Sequence, residues 1–402
     1  MQADEKHKSN QSFKPMKKIF SILAAIAFVF VACNTNKTEQ QQVGTFELKR
    51  GVNLSHWLSQ SPLRGQERAD RVKEKDIANL QKWGFDHVRI PIDEEQMWDE
   101  EGNKQNEAWG LLTQTLNWCG QYGIRAIVDL HILRSHNFVL AEGEHNALYE
   151  DPAEQQKLID MWYQLSDTLK AYPNNMVAYE FMNEPVAEDP EQWNQVVEKV
   201  HRALREREPE RKLVIGSNMW QSVGTFKDLR VPKDDKNIIL SFHYYAPMLL
   251  THYHAGWCVE GKYDADVNYP GQLVTDSTYA TLPDDVKAMV DERKFREVWD
   301  RDRIHNEMLD AIKLADSLKL QLFCGEWGVY EKVPREWGAA WIKDMLSVFD
   351  EENIAWTFWC YDADFGFWDQ KTQDFKEKAI FDALVSGKPL DESKRIKPEK
   401  RG

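Results

Sequence analysis

Residues 158–185 read LIDMWYQLSDTLKAYPNNMVAYEFMNEP, and this stretch contains one complete step from helix to strand. Leu158, Met161, Trp162, Leu165 and Leu169 recur at helical spacing, which predicts a helix with one buried face. The run at 177–182 is short, apolar and rich in β-forming residues, as a buried strand requires, and it ends in Asn183-Glu184-Pro185. A polar triplet at the end of a buried strand is the pattern to look for elsewhere in the chain.

The same alternation recurs on both sides. Strand-like runs lie at 46–54, 87–92, 125–130, 177–182, 212–217, 238–244, 320–325 and 354–360. Helical segments separate them, such as 74–83 with Ile77, Leu80 and Trp83. Eight βα units predict an α/β fold of the (β/α)8 TIM-barrel class, with a single catalytic domain over 45–387. An open dinucleotide-binding sheet would carry a Gly-rich turn after its first strand, and none is found here. The longest insertion, 246–291, leaves the sixth strand and carries Trp257, Tyr263, Tyr269 and Pro270, so it is expected to overhang the mouth of the barrel.

The flanking segments read as an address. Met16-Lys17-Lys18 is basic, and 19–32 is an apolar run of signal-peptide length, too short to span a bilayer comfortably. Phe30-Val31-Ala32-Cys33 resembles a bacterial lipobox, although Phe30 departs from the usual Leu. Residues 1–33 are therefore expected to be an N-terminal extension and lipoprotein-type signal peptide with Cys33 as lipid anchor. Residues 34–44 form a polar tether and 388–402 a charged tail. The expected location is exported: outer membrane, cell surface or periplasm, with membrane contact only through the anchor.

Composition narrows the partners. A net charge of −15 argues against nucleic acid, whose phosphates demand clustered Lys and Arg. The 16 Trp and 13 Tyr would serve mainly as core, with a few exposed rings available to stack on sugars. Cys33, Cys119, Cys258, Cys324 and Cys360 show no CxxC spacing, so neither a zinc ribbon nor a dense disulfide framework is implied. One bridge among the last four stays open if the protein is exported. His243, His252 and His254 lack an HExxH pattern, and no metal or other cofactor is expected. A monomer is expected.

In a barrel of this kind, polar residues at the C-terminal strand ends point to catalysis. Arg89, His131, Asn183, Glu184, His243, Tyr245, Glu326 and Trp359 all fall there. Taken singly, each is better read as structural, a Glu–Arg pair as a buried ion pair and His131 or His243 as a core histidine; together they point to a site. Hydrolysis of a glycoside with retention needs two carboxyl groups about 5–5.5 Å apart, and Glu184 and Glu326, after strands four and seven, face each other across the mouth. Glu184 is expected to be the acid/base and Glu326 the nucleophile, with Arg89 holding Glu326 ionised. His243 and Tyr245 would tune the carboxylates, and Asn183 would hold the sugar 2-hydroxyl. Trp57, Trp220, Trp257 and Trp327 are candidate subsite aromatics.

These residues resemble the motifs of glycoside hydrolase family 5: VRIP with Arg89, DLH with His131, NEP at 183–185, HYY at 243–245, GEWG with Glu326, and Trp359. Within that family the chain is most similar to small single-domain enzymes of the endoglucanase C type. The parallels run through GVNLSHWLSQ from Gly51, YPGQ at 269–272 and LFCGEWGV ending at Val329. The resemblance implies an endo-acting β-1,4 or mixed β-1,3/1,4 glucanase that stacks sugar rings on Trp359. Ser55-His56, where relatives often carry Gly-Gly, and Ile132, where a second His is frequent, depart from the pattern near the glycone side. The alternatives on the same barrel are a β-mannanase, a xyloglucanase or an exo-β-1,3-glucanase. A non-catalytic glycan-binding lipoprotein is a rival from another class; a barrel isomerase or aldolase would need a phosphate site or a Schiff-base lysine that is not clearly present.

Overall fold

The computed structural model describes residues 45–140 and 144–386. The signal segment, Cys33, the tether and the 388–402 tail lie outside the described residues. Eight parallel strands close a barrel: β1 Arg50–Asn53, β2 His87–Asp93, β3 Arg125–Ile132, β4 Val177–Glu180, β5 Leu213–Gly216, β6 Ile238–His243, β7 Gln321–Glu326 and β8 Ala355–Phe358. They neighbour one another in sequence order, and β1 pairs with both β2 and β8 to complete the ring.

The outer layer contains α1 Glu74–Lys82, α2 Asn106–Tyr122, α3 Pro152–Leu169, α4 Pro190–Arg207, α5 Arg301–Leu318, α6 Arg335–Glu351 and α7 Lys378–Val385. Between β5 and β6 a short 3-10 segment, Val223–Asp228, stands where the repeat would place a full helix. The starts of α3 and α4 are set locally. Pro152 and Pro190 occupy the first turn, while Asp151 and Asp189 accept from the backbone N–H groups of Ala153 and Glu191. Such caps contribute about 1 kcal/mol each.

The period of two along each strand sorts side chains between the barrel interior and the helix layer. Inside, Ile127, Ala178, Val214, Ile239, Phe323 and Ala355 form an apolar plug, closed by Phe46 and Leu48 from the approach to β1. Two residues further along these strands the interior turns polar, with Asp129, Glu180 and Ser241 all fully buried. Helix packing then fixes the strand that carries Glu184. The Trp162 indole on α3 stacks on Tyr179 of β4 and donates to the Phe181 carbonyl at 3.0 Å.

The 246–291 insertion folds rather than simply overhanging. It contains short helices at Met248–Thr251, Asp276–Thr281 and Asp284–Glu292, and Gly271–Gln272 pairs antiparallel with Val298–Trp299. Tyr263 is fully buried, and the Tyr269 hydroxyl donates to Asp344 of α6 at 2.8 Å. Trp257 alone among the aromatic residues singled out in this insertion is exposed, at 59 %. Cys119, Cys258, Cys324 and Cys360 are free thiols, so the bridge left open by the sequence is not made.

Candidate active site

The site grows from Arg89. Strand alternation turns its side chain into the barrel, where it is fully buried, so its charge must be met by carboxylates rather than water. Nε donates to Glu180 Oε2 at 2.7 Å and Nη2 to Glu180 Oε1 at 3.1 Å, a forked pairing that fixes the plane of the guanidinium. Nη2 also reaches Asn183 Oδ1 at 2.9 Å and Asp129 Oδ2 at 2.9 Å. The remaining nitrogen, Nη1, donates to Glu326 Oε1 at 2.7 Å and to Asn53 Oδ1 at 3.1 Å. Burial opposes the positive charge, but Asp129, Glu180 and Glu326 outweigh it and hold Arg89 protonated.

Glu326 takes a second donor from the Tyr245 hydroxyl, at 3.1 Å. Glu184 is differently placed. Its carboxylate lies 2.8 Å from His243 Nδ1, a ring nitrogen rather than a guanidinium or ammonium group. A register shift between Phe242 and His243 pairs His243 with Glu326, so the imidazole lies between the two acids, 3.7 Å from Glu326 Oε2. One oxygen of each glutamate and one ring nitrogen of His243 all lie within 4.8 Å of one another.

The surroundings push the two acids apart. Burial raises Glu184 well above the ordinary carboxylate range, and the neighbouring charge of Glu326 raises it further. Burial also raises Glu326, but the Arg89 guanidinium pulls it back. Glu184 therefore keeps its proton more strongly than Glu326 does. Burial, with Arg89 next in weight, drives His243 well below its usual value, so the ring between the acids is neutral. Tyr245, raised by burial and by the charge of Glu326, keeps the proton it donates.

His131 sits 2.8 Å from Asp129 through Nδ1, and its ring stacks parallel on Trp359, with centroids 5.7 Å apart. His56, in the left-handed region at φ 53°, approaches the other surroundings of Trp359 with centroids 6.1 Å apart. The eight candidate residues thus meet in one mouth, linked through Arg89, His243 and the His131–Trp359 stack, although Arg89 lies inside β2 rather than at its end.

Of the candidate subsite aromatics, Trp220 and Trp257 are exposed, at 48 % and 59 %. Trp220 donates its indole N–H to the Phe138 carbonyl at 2.9 Å, and its backbone N–H donates to Pro185, directly after Glu184. Trp257 packs edge-on against Tyr330, with Phe365 nearby. Trp57 and Trp327 require correction, since both are fully buried. The Trp57 indole donates to Arg68 O at 3.0 Å, and Trp327 is packed among Trp341, Phe349, Trp356 and Phe358. Neither ring has a face to offer a sugar.

Sequence reading gave no role to Asn53, Asp129, Glu180 or Gln221; the first three stood only inside quoted stretches. Gln221 is fully buried, donates to Glu180 Oε1 at 3.1 Å and accepts from the Ser241 hydroxyl at 2.7 Å. It ends a run of three left-handed residues, Met219, Trp220 and Gln221, with φ of 52°, 59° and 53°. Such backbone costs on the order of 1–3 kcal/mol per residue and persists where its surroundings dictate it.

The description Cellulase (glycosyl hydrolase family 5) matches residues 42–365. The chain belongs to that family. As a family 5 cellulase it is an O-glycosyl hydrolase, and its relatives are named accordingly. It is 30% identical over 319 residues to Endoglucanase C of Acetivibrio thermocellus, covering 78% of this chain and 91% of the relative. It is 28% identical to Cellodextrinase A of Ruminococcus flavefaciens, covering 76% and 83%. In fold, this cellulase resembles Thermotoga maritima Cel5A solved in complex with cellobiose, with a TM-score of 0.66, 21% identity, and 84% of this chain and 97% of that one covered.

Proposed function

We propose that the protein is an endo-acting, retaining hydrolase of β-1,4 or mixed β-1,3/1,4 glucan, with Glu184 as acid/base and Glu326 as nucleophile. The observation that carries this reading is the distance between the acids. Carboxylate oxygens within 4.8 Å of each other fit the separation of about 5–5.5 Å that double displacement needs, and leave no room for the water of an inverting site, which needs about 6.5–9.5 Å.

In the first step Glu326, ionised by Arg89 and Tyr245, attacks the anomeric carbon while Glu184 gives its proton to the departing glycosidic oxygen. The products are a glycosyl ester on Glu326, a free reducing-end fragment and an ionised Glu184. In the second step Glu184 takes a proton from water, and the resulting hydroxide equivalent displaces Glu326. Asn183 anchors its carbonyl on Arg89 and leaves Nδ2 without a partner, a donor suited to the sugar 2-hydroxyl. Trp359 would support the ring being cut. Trp220, bonded to the residue after the acid, would support the leaving-group side, and Trp257 would lie under the chain further off.

Export through a lipid anchor on Cys33 and action as a monomer belong to the same proposal. The test is to incubate the protein and its Glu326→Gln variant with carboxymethylcellulose, mixed-linkage β-glucan, laminarin, xyloglucan and mannan. A spread of oligomers from a β-1,4-containing glucan, absent with the variant, supports the reading; release of a single short product from chain ends, or cleavage confined to another glycan, contradicts it.

A further inference from the structure

We propose that Gln221 is a positioning residue for the nucleophile, acting through Glu180 and Arg89. The proposal rests on the assignment of Glu326 made above. Glu180 Oε1 receives two donors, Nη2 of Arg89 and Nε2 of Gln221, both at 3.1 Å. The Glu180 carboxylate is therefore held from two sides, and the guanidinium that forks onto it inherits its orientation. Only with that orientation does Nη1 point at Glu326. The amide of Gln221 is itself oriented, because its Oε1 accepts from Ser241 Oγ at 2.7 Å and a flipped amide would set its oxygen against the acceptor-only Glu180 carboxylate.

The fold is shaped around this side chain. A Cβ at Gly216, on the end of β5, would lie 2.3 Å from Gln221 Cδ, so only glycine leaves space for the amide. A Cβ at Gly325, beside Glu326, would lie 3.0 Å from Ser241 Oγ. Ser222, the next residue, bridges in parallel to His243, and Trp220, the previous one, bonds to Pro185. The left-handed run thus turns Gln221 inward and Trp220 outward from one short segment, between both catalytic carboxylates.

Gln221→Leu removes all three side-chain hydrogen bonds, to Glu180, to Ser241 and from Nε2 to the Met182 carbonyl at 3.4 Å, and leaves Glu180 with Arg89 as its strong partner. Arg89 then settles on Glu180, and its grip on Glu326 loosens. The experiment measures kcat and KM on an aryl cellobioside across pH, for wild type, Gln221→Leu and Ser241→Ala. Active sites are counted by trapping with a 2-deoxy-2-fluoro cellobioside bearing a good leaving group, so that misfolded protein does not enter the rate. Wild-type trapping reports on the nucleophile assignment; the difference between variant and wild type reports on Gln221. The expected result for Gln221→Leu is a fall in kcat per trapped site of about tenfold or more with KM within about twofold. The acid limb of kcat/KM should also move to higher pH, and Ser241→Ala should shift both in the same sense by less. Wild-type kcat per site together with a wild-type acid limb in both variants would overturn the proposal, even if both melt at lower temperature.

Discussion

Arg89 on β2 and Glu326 on β7 stand on strands separated by β1 and β8 in the closed barrel, and Nη1 of Arg89 donates to Oε1 of Glu326 at 2.7 Å. Since the same guanidinium also engages Asp129, Glu180 and Asn183, its planar fork cannot be replaced by a point charge. Arg89→Lys should lower kcat/KM by about 100-fold or more, which is about 2.7 kcal/mol of transition-state stabilisation. Arg89→Ala, leaving buried carboxylates without a counter-charge, should also cost about 3–5 kcal/mol of stability. Steady-state kinetics and thermal melting of both variants check this.

Burial and the neighbouring charge of Glu326 raise the pKa of Glu184, the proposed acid/base. In the proposed mechanism Glu184 must carry a proton, so activity is expected to fall as pH rises through its raised pKa, and Glu326 must be ionised, so activity is expected to fall as pH drops. Glu184→Ala should cost about 10²–10⁴-fold on glucan, where the leaving group needs a proton. The loss should be far smaller on an aryl cellobioside with an acidic leaving group, and azide should restore turnover there by forming a β-glycosyl azide, identifiable by mass and NMR.

The four tryptophans divide by burial. Trp220→Ala and Trp257→Ala, at exposed positions, should raise KM on long glucan several-fold and leave melting nearly unchanged. Trp57→Ala and Trp327→Ala should cost about 3–5 kcal/mol of stability through lost packing. Melting curves beside KM values separate the two pairs.

His252 lies among Tyr245, Trp257 and Phe365, and burial lowers its pKa to about 4. The unfolded chain binds a proton there below about pH 6.5, where the folded protein does not. Its contribution to stability is present above that pH and is lost as pH falls towards about 4. His252→Phe should therefore melt closer to wild type, or above it, at pH 4.5 than at pH 7. Paired melts at the two pH values decide this.

The barrel was legible because each β-rich run is short, buried and followed by a helical period, a pattern that eight closed strands repeat. The exception falls between β5 and β6, where Val223–Asp228 coils as a 3-10 segment in place of a full outer helix. The positions of Glu184 just beyond β4 and of Glu326 at the end of β7 were equally legible, since a charged side chain leaving an apolar run stands out in the sequence; Arg89 instead lies inside β2. Glu180 and Asn53 also end their strands, β4 and β1, but were not singled out, because only barrel closure brings them to Arg89. Gln221 lies outside any strand, and its role depends on a left-handed turn that composition does not announce. Trp57 and Trp327 show the reverse failure: residue type marks an aromatic ring, but its burial depends on neighbours remote in sequence.

The most direct test of the central claim is the anomeric configuration of the first product. Proton NMR spectra recorded within the first minutes of cello-oligosaccharide hydrolysis, before mutarotation, should show the newly formed reducing end as the β anomer. An α anomer appearing first would contradict double displacement through Glu326.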